Sequence, residues 1–298
     1  MSDDWSNQFA DETLPVLRPR EIRRAPSGYA IDLAGRSHVG CVREQNEDSF
    51  LIADLGRWLD VIESSLPLHE SQRRIPGPKG TLIMVADGMG GHGGGEVASS
   101  VAIDMIAQFA LYAMPWAVRP DEHDETEILE RMGDAMSHCQ ARLERVAVRK
   151  QMEELQPGTT LTVAYALWPR LYVAHVGDTR LYLSRGAELT QITRDHTVGQ
   201  ALRDSGAIGS EPSRFDHILV NVVGGGGDRV LADAHALGLE PGDRVLMCSD
   251  GLYGHVTDAE IASALADHGT SSAASERLIQ MAIDGGGSDN VTVLVAGF

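Results

Sequence analysis

The sequence predicts an α+β domain in which antiparallel sheets are layered against helices, rather than a doubly wound parallel sheet. Two apolar runs of strand length, residues 82–86 and 244–249, each stop at an Asp-Gly pair, Asp87-Gly88 and Asp250-Gly251. Two longer stretches, 96–113 and 125–154, repeat apolar side chains at three- and four-residue steps, the period of a helix with one buried face. Strand and helix signals arrive in blocks, without the regular β-α alternation that a parallel sheet requires.

Residues 1–28 are acidic at first, then basic and proline-containing, with no sustained period; they are expected to form a flexible tail, leaving 29–298 as the domain. A first strand is predicted at 29–34, a loop through Gly35 and Gly40, and a second strand near 49–53. Mixed charge and Pro67, Pro76 and Pro78 make residues 54–80 read as a surface insertion that loops out between paired strands. After the strand at 82–86, six glycines fall within the eight residues that follow Asp87, so the backbone can bend sharply before a helix begins near Glu96. Pro115 ends that helix. In the helix predicted over 125–154, Ile128, Met132, Met136, Cys139 and Leu143 have the spacing of core packing, not of a cofactor box.

Pro157-Gly158 precedes three predicted strands, 159–167, 171–176 and 180–184, joined by Pro169-Arg170 and Gly177-Asp178 and read as an antiparallel meander. A short helix near 198–205 leads to a loop rich in Gly, Ser and Pro at 206–216, expected to be a mobile flap. The glycine run 224–227 is a further break. Thr257 with Glu260 three residues on forms a capping box for a helix through 266, and a last helix is predicted at 272–283. Three glycines, Ser288, Asp289 and Asn290 then lead into a final strand at 291–296.

A formal net charge of −18 argues against a nucleic-acid backbone or an anionic membrane as partner. Cys41, Cys139 and Cys248 are odd in number and widely spaced, which indicates neither a disulfide framework nor a zinc site and fits a reducing cytoplasm. There is no apolar leader near the start and no run of about 18 apolar residues, so a soluble, unexported protein is expected.

Aspartates at the ends of separate core strands, with glycines beside them, make an oxygen-lined pocket suited to Mg²⁺ or Mn²⁺. A pair of such ions makes a water nucleophilic near neutral pH and assists in-line attack on phosphorus. An arginine alongside would clamp phosphate oxygens. Read by themselves, Asp87-Gly88 and Gly177-Asp178 are equally good tight turns between strands, and spacing does not establish that the acids converge.

Five motifs together carry a resemblance. Arg43-x-x-Asn46-Glu47-Asp48, Val85-Ala86-Asp87-Gly88-Met89-Gly90-Gly91-His92, Val176-Gly177-Asp178-Thr179-Arg180, Cys248-Ser249-Asp250-Gly251-Leu252 and Ser288-Asp289-Asn290-Val291-Thr292 occur in this order. Over residues 29–298 the chain resembles the metal-dependent serine/threonine protein phosphatases of type 2C, the PPM family, and its bacterial branch most. The resemblance implies a four-layer α-β-β-α sandwich of two antiparallel sheets flanked by helices, and hydrolysis of phosphoserine and phosphothreonine on proteins with no covalent phosphoenzyme. It implies two inner Mn²⁺ or Mg²⁺ ions and a weaker third. Asp87 would bridge the inner pair, the Gly88 carbonyl would bind one of them, Asp250 and Asp289 would complete the other, and Asp178 with Asp250 would take the third. Asp48 and Glu47 would act through bound waters, and Arg43 would hold the substrate phosphate.

Phosphorylated proteins and a serine/threonine kinase system are the implied partners, for a cytoplasmic monomer. Met89 stands where many eukaryotic members have a histidine that is a candidate proton donor; a bound water or His92 would have to serve instead. His196, after Asp195, is expected to cap or pack rather than to catalyse. The competing reading is a non-catalytic, phosphatase-like module that senses or binds a partner.

Overall fold

The computed structural model describes residues 31–60, 74–90, 93–112, 122–209, 211–227 and 229–298; the expected tail at 1–28 and His92 lie outside them. The first strand, β1 (Asp32–His38), runs further than expected, through Gly35. β2 (Ser49–Asp60) and β3 (Arg74–Ala86) pair antiparallel from Ser49↔Ala86 to Asp60↔Arg74, with a bulge between Gly56 and Trp58. The expected insertion at 54–80 is therefore in large part an extension of these two strands. Residues 61–73 of it, with Pro67, lie outside the described residues; Pro76 and Pro78 are tolerated because β3 meets its other neighbour only over Thr81–Val85, so no second ladder there needs the missing N–H.

Asp87 is followed by the two-residue strand β4 (Gly88–Met89), and then by α1 (Gly94–Tyr112) and α2 (Glu122–Lys150), close to the predicted helices. β5 (Gly158–Thr159) pairs with β4, while β6 (Leu161–Leu167) and β7 (Arg170–Val176) form the expected hairpin. The meander stops there. β8 (Arg180–Arg185) does not pair with β7 but crosses to the other sheet, so Gly177-Asp178 is an inter-sheet passage and not a hairpin turn. Gly177 has φ +107°, and a Cβ there would stand 2.5 Å from the Thr160 side chain, so the passage requires glycine.

β9 (Glu188–Gln191) is a short strand that the sequence reading lacks. It is followed by α3 (Val198–Asp204), capped by Thr197. The predicted flap is tied down at its end, where Arg203 donates to both oxygens of Asp216 at 2.6 Å and Asp216 accepts from the Ser213 N–H. β10 (Val223–Gly224) adds to β5, and β11 (Asp233–Gly238) is an unpredicted edge strand on β7. β12 (Arg244–Cys248), the single turn α4 (Asp250–Tyr253), α5 (Asp258–Asp267), α6 (Ser271–Asp284) and β13 (Val291–Gly297) complete the order, and the Thr257–Glu260 capping box is present.

Two antiparallel sheets result, β1-β13-β12-β8-β9 and β11-β7-β6-β3-β2, with β10-β5-β4 as a small third. Period-two alternation sets the layers. Val245, Met247, Leu294 and Ala296 meet Ile83, Val85, Leu171 and Val173 between the sheets. Leu246, Cys248, Val293 and Val295 pack outward on Ile261 and Leu265 of α5 and Leu278 of α6. On the opposite side Leu82, Val163 and Tyr165 face Ile106 of α1 and Met132 of α2 across a small apolar cavity. Among the described residues no helix is long and apolar enough to cross a membrane.

Candidate metal centre

One end of the sandwich collects the acids. The Ser49↔Ala86 pair sets Asp48, just before β2, beside Asp87, just after β3. The Asp87 backbone is fixed: its N–H donates to Thr160 Oγ1 at 3.0 Å, and its carbonyl accepts from the Thr160 N–H and from Thr159 Oγ1. Asp250 opens α4 directly after β12, and Asp289 stands two residues ahead of β13. Asp48 links the two sheets, since its Oδ2 accepts from Ser249 Oγ at 2.8 Å and from Thr292 Oγ1 at 2.6 Å. Asn290 holds the entry loop by donating to the carbonyls of Val39 and Gln45 and accepting from the Glu47 N–H.

Gly88 lies where α1 begins against the loop. A Cβ on it would collide with the Gly95 carbonyl and stand 2.6 Å from the Glu47 carbonyl oxygen, so its neighbours demand bare backbone. Arg43 lies at the rim, donating to Asp289 Oδ2 at 2.7 Å with its side chain half exposed. Asp178 is buried, and its carbonyl accepts from Tyr253 Oη at 2.9 Å. The structure thus brings Arg43, Glu47, Asp48, Asp87, Gly88, Asp178, Asp250 and Asp289 to one region, although six different strand or helix ends supply them.

The carboxylates oppose one another's ionisation. Burial, above the effects of Asp48, Asp250, Asp178 and Asp289, holds Asp87 well above the ordinary carboxylate range. Burial pushes Asp48 up to about 7, against the Thr292 and Ser249 hydrogen bonds. Burial and the charge of Asp250 push Asp178 up to about 8, and burial and Asp289 push Asp250 up to about 6. Asp48, Asp87 and Asp250 keep some surface accessible, yet they sit deep enough for desolvation to dominate. Arg43 pairs with Asp289 of this cluster at 2.7 Å, while Arg180 pairs with Asp195 at 2.7 Å.

Oδ1 of Asp48 and Oδ1 of Asp250 are buried with no hydrogen-bond partner among the described residues. An orphaned carboxylate oxygen is costly unless a cation or proton compensates it. Among the described residues no group of three or more His, Cys, Asp or Glu side chains is already gathered closely enough to hold a metal ion. That is compatible with Mg²⁺ or Mn²⁺, which take a few carboxylates and a carbonyl and keep waters for the remaining positions. The hard, all-oxygen donor set fits such an ion.

A family model described as Protein phosphatase 2C matches residues 74–283. The chain belongs to the protein phosphatase 2C family. The serine/threonine protein phosphatase PstP of Mycobacterium tuberculosis is 36% identical over 269 residues, 88% of this chain and 44% of PstP, so the chain spans less than half of that relative. The serine/threonine phosphatase stp of Listeria innocua is 31% identical over 81% of this chain and 92% of its own. The crystal structure of the catalytic domain of PstP in complex with two manganese ions superposes with a TM-score of 0.66 at 34% identity, over 90% of this chain and 97% of that one.

In this protein phosphatase 2C domain His196 is held by several contacts. Its Nδ1 accepts from the Gly177 N–H and from Asn221 Nδ2, its Nε2 bonds Asp233, and its ring lies 4.9 Å from that of His175. Met89 is partly exposed on β4, and its side chain lies beside Gly158. The supporting residues Ser249, Thr292, Asn290 and Tyr253 were missed as functional. The first three stood inside quoted motifs, whereas nothing in the sequence signals that Tyr253 reaches Asp178.

Proposed function

We propose that residues 29–298 remove phosphate from phosphoserine and phosphothreonine on proteins with two inner Mn²⁺ or Mg²⁺ ions and a weaker third. The observation that carries this reading is the convergence of five aspartates at one end of both sheets, with two buried oxygens left without partners among the described residues. Asp87, the Gly88 carbonyl, Asp250 and Asp289 would hold the inner ions, and Asp178 with Asp250 the outer one. Bound ions would supply a nucleophilic water and neutralise phosphoryl charge. Asp48, clamped through Oδ2, keeps Oδ1 to orient a water, and Glu47 stands beside it. Arg43, at the open rim, would take phosphate oxygens in paired hydrogen bonds. The retention of every one of these candidate side chains in the sequence supports the enzyme reading over a binding-only module. It includes an opposing serine/threonine kinase, a cytoplasmic location and a monomeric protein.

Purified protein should release phosphate from a phosphothreonine peptide when manganese is added and stop when it is chelated; release indifferent to the chelator would contradict the reading. Arg43→Ala should weaken phosphate binding by about 1.5–3 kcal/mol, the value of a hydrogen bond to a charged group, with manganese binding retained. Calorimetry showing lost manganese binding beside an unaltered KM would be the opposite result. Asp178→Ala should still bind the two inner ions but turn over more slowly. Normal turnover across a full manganese titration would remove Asp178 from the site.

A further inference from the structure

The single turn α4 opens with Asp250 and closes with Tyr253. Tyr253 Oη donates to the Asp178 carbonyl at 2.9 Å, across 75 positions of sequence. The Tyr253 ring is covered in turn by Arg180, whose guanidinium carbon lies 3.6 Å from the ring centroid. Arg180 follows Asp178 by two residues, so Asp178, Arg180 and Tyr253 close a ring of contacts that joins the passage between β7 and β8 to α4. Arg180 is itself anchored. Its Nε donates to Asp195 Oδ1 at 3.0 Å, its Nη2 to Asp195 Oδ2 at 2.7 Å and its Nη1 to Tyr182 Oη at 3.0 Å. The start of the passage is held as well: the Gly177 N–H donates to His196 Nδ1 at 3.2 Å, and the His196 N–H donates to the Gly177 carbonyl at 2.7 Å.

We infer that Tyr253, steadied by Arg180, is a positioning residue that fixes the Asp178 and Asp250 carboxylates relative to each other and thereby sets the affinity for the weakly held divalent ion. The inference rests on the proposed metal centre, in which those two aspartates take the outer ion. They come from separate elements, the inter-sheet passage and α4, and Tyr253 is bonded to the first while belonging to the second. A small hard ion that keeps most of its waters and has few protein ligands gains most when the spacing of those ligands is set in advance. The Tyr253 ring also packs on the apolar layer beneath α5 and α6. Tyr253→Phe keeps that packing and the stack with Arg180, and removes only the bond to Asp178.

The test is Mn²⁺ binding by calorimetry to the metal-free wild type, Y253F, D178A and Y253F/D178A, with phosphate release from a phosphothreonine peptide measured alongside. Y253F should bind the two inner ions as the wild type does, which also reports an intact fold, and should bind the third about tenfold more weakly, the low end of what losing a partner behind a metal ligand costs. Higher manganese should restore turnover to Y253F but not to D178A. Added to D178A, the Tyr253 change should alter neither ion binding nor turnover further, because the hydroxyl acts through Asp178. A third ion bound by Y253F as tightly as by the wild type overturns the inference. So does equal weakening of the inner ions, or a loss that adds to that of D178A, either of which would make Tyr253 a general support of the fold. Protein that binds the ions with the expected dependence on Tyr253 but releases no phosphate keeps the brace and removes the phosphatase reading. A wild type that binds no third ion removes that ion and the brace together.

Discussion

Replacing Asp87 by Asn is expected to slow manganese-dependent phosphate release about 10³-fold, the rate equivalent of the several kcal/mol that a bound Lewis acid supplies. Asp250→Asn should do the same. Neither change should unfold the protein. The bonds that hold Asp87 are made by its backbone with Thr159 and Thr160, and an Asn keeps all of them. Substitution also removes an ionisable group from a crowded, desolvated cluster, so the metal-free variant should melt at or above the wild-type temperature. A variant that is inactive because it is misfolded would melt lower, and this separates loss of the site from loss of the fold. Near wild-type turnover by Asp250→Asn at saturating manganese would mean that the site is elsewhere.

The second large effect is on stability against pH. Asp48, Asp178 and Asp250 are pushed up to about 7, 8 and 6, and Asp87 well above its ordinary range. A carboxyl with a raised folded pKa binds more protons folded than unfolded in the window between the two values. Stability therefore falls as pH rises from about 4 through 8. His175, lowered to about 3 mainly by burial, acts the other way below its ordinary value, but it is one group against four. Metal-free protein should thus melt at a lower temperature at pH 8 than at pH 5.5. Added manganese should raise the melting temperature more at pH 8, where the carboxylates are ionised and have most to gain from a cation. Thermal scans at both pH values, with manganese or with chelator, measure this directly. A metal-free melting temperature that rises toward pH 8 would show that the acids are not coupled as the structure implies.

Much of this was legible because local chemistry and global position agree. Strands that stop at Asp-Gly, helices with three- and four-residue spacing and the Thr257 capping box were each set by neighbours in sequence. What was missed depended on distant partners. β11 contains small residues and carries little strand propensity of its own; it is a strand because β7 offers an edge to pair with. Pro76 and Pro78 suggested a loop, and only the missing second neighbour of β3 explains why they are tolerated. Gly177-Asp178 has the composition of a hairpin turn, yet the partners of β8 lie in the other sheet. The five acids could be named from their motifs, whereas the Ser249, Thr292 and Tyr253 contacts join residues up to 244 positions apart and are set by the sandwich itself.

Equilibrium binding of Mn²⁺ to the metal-free protein at pH 7.5 tests the central claim, that these aspartates form a divalent-metal centre, without depending on any substrate. Titration followed by calorimetry or by loss of the free-ion resonance signal should give two tight ions per chain and a weaker third. Asp87→Asn should lose tight binding, and Asp178→Ala should lose only the weak ion. Absence of saturable binding by the folded wild type, or binding that Asp87→Asn leaves intact, would contradict it.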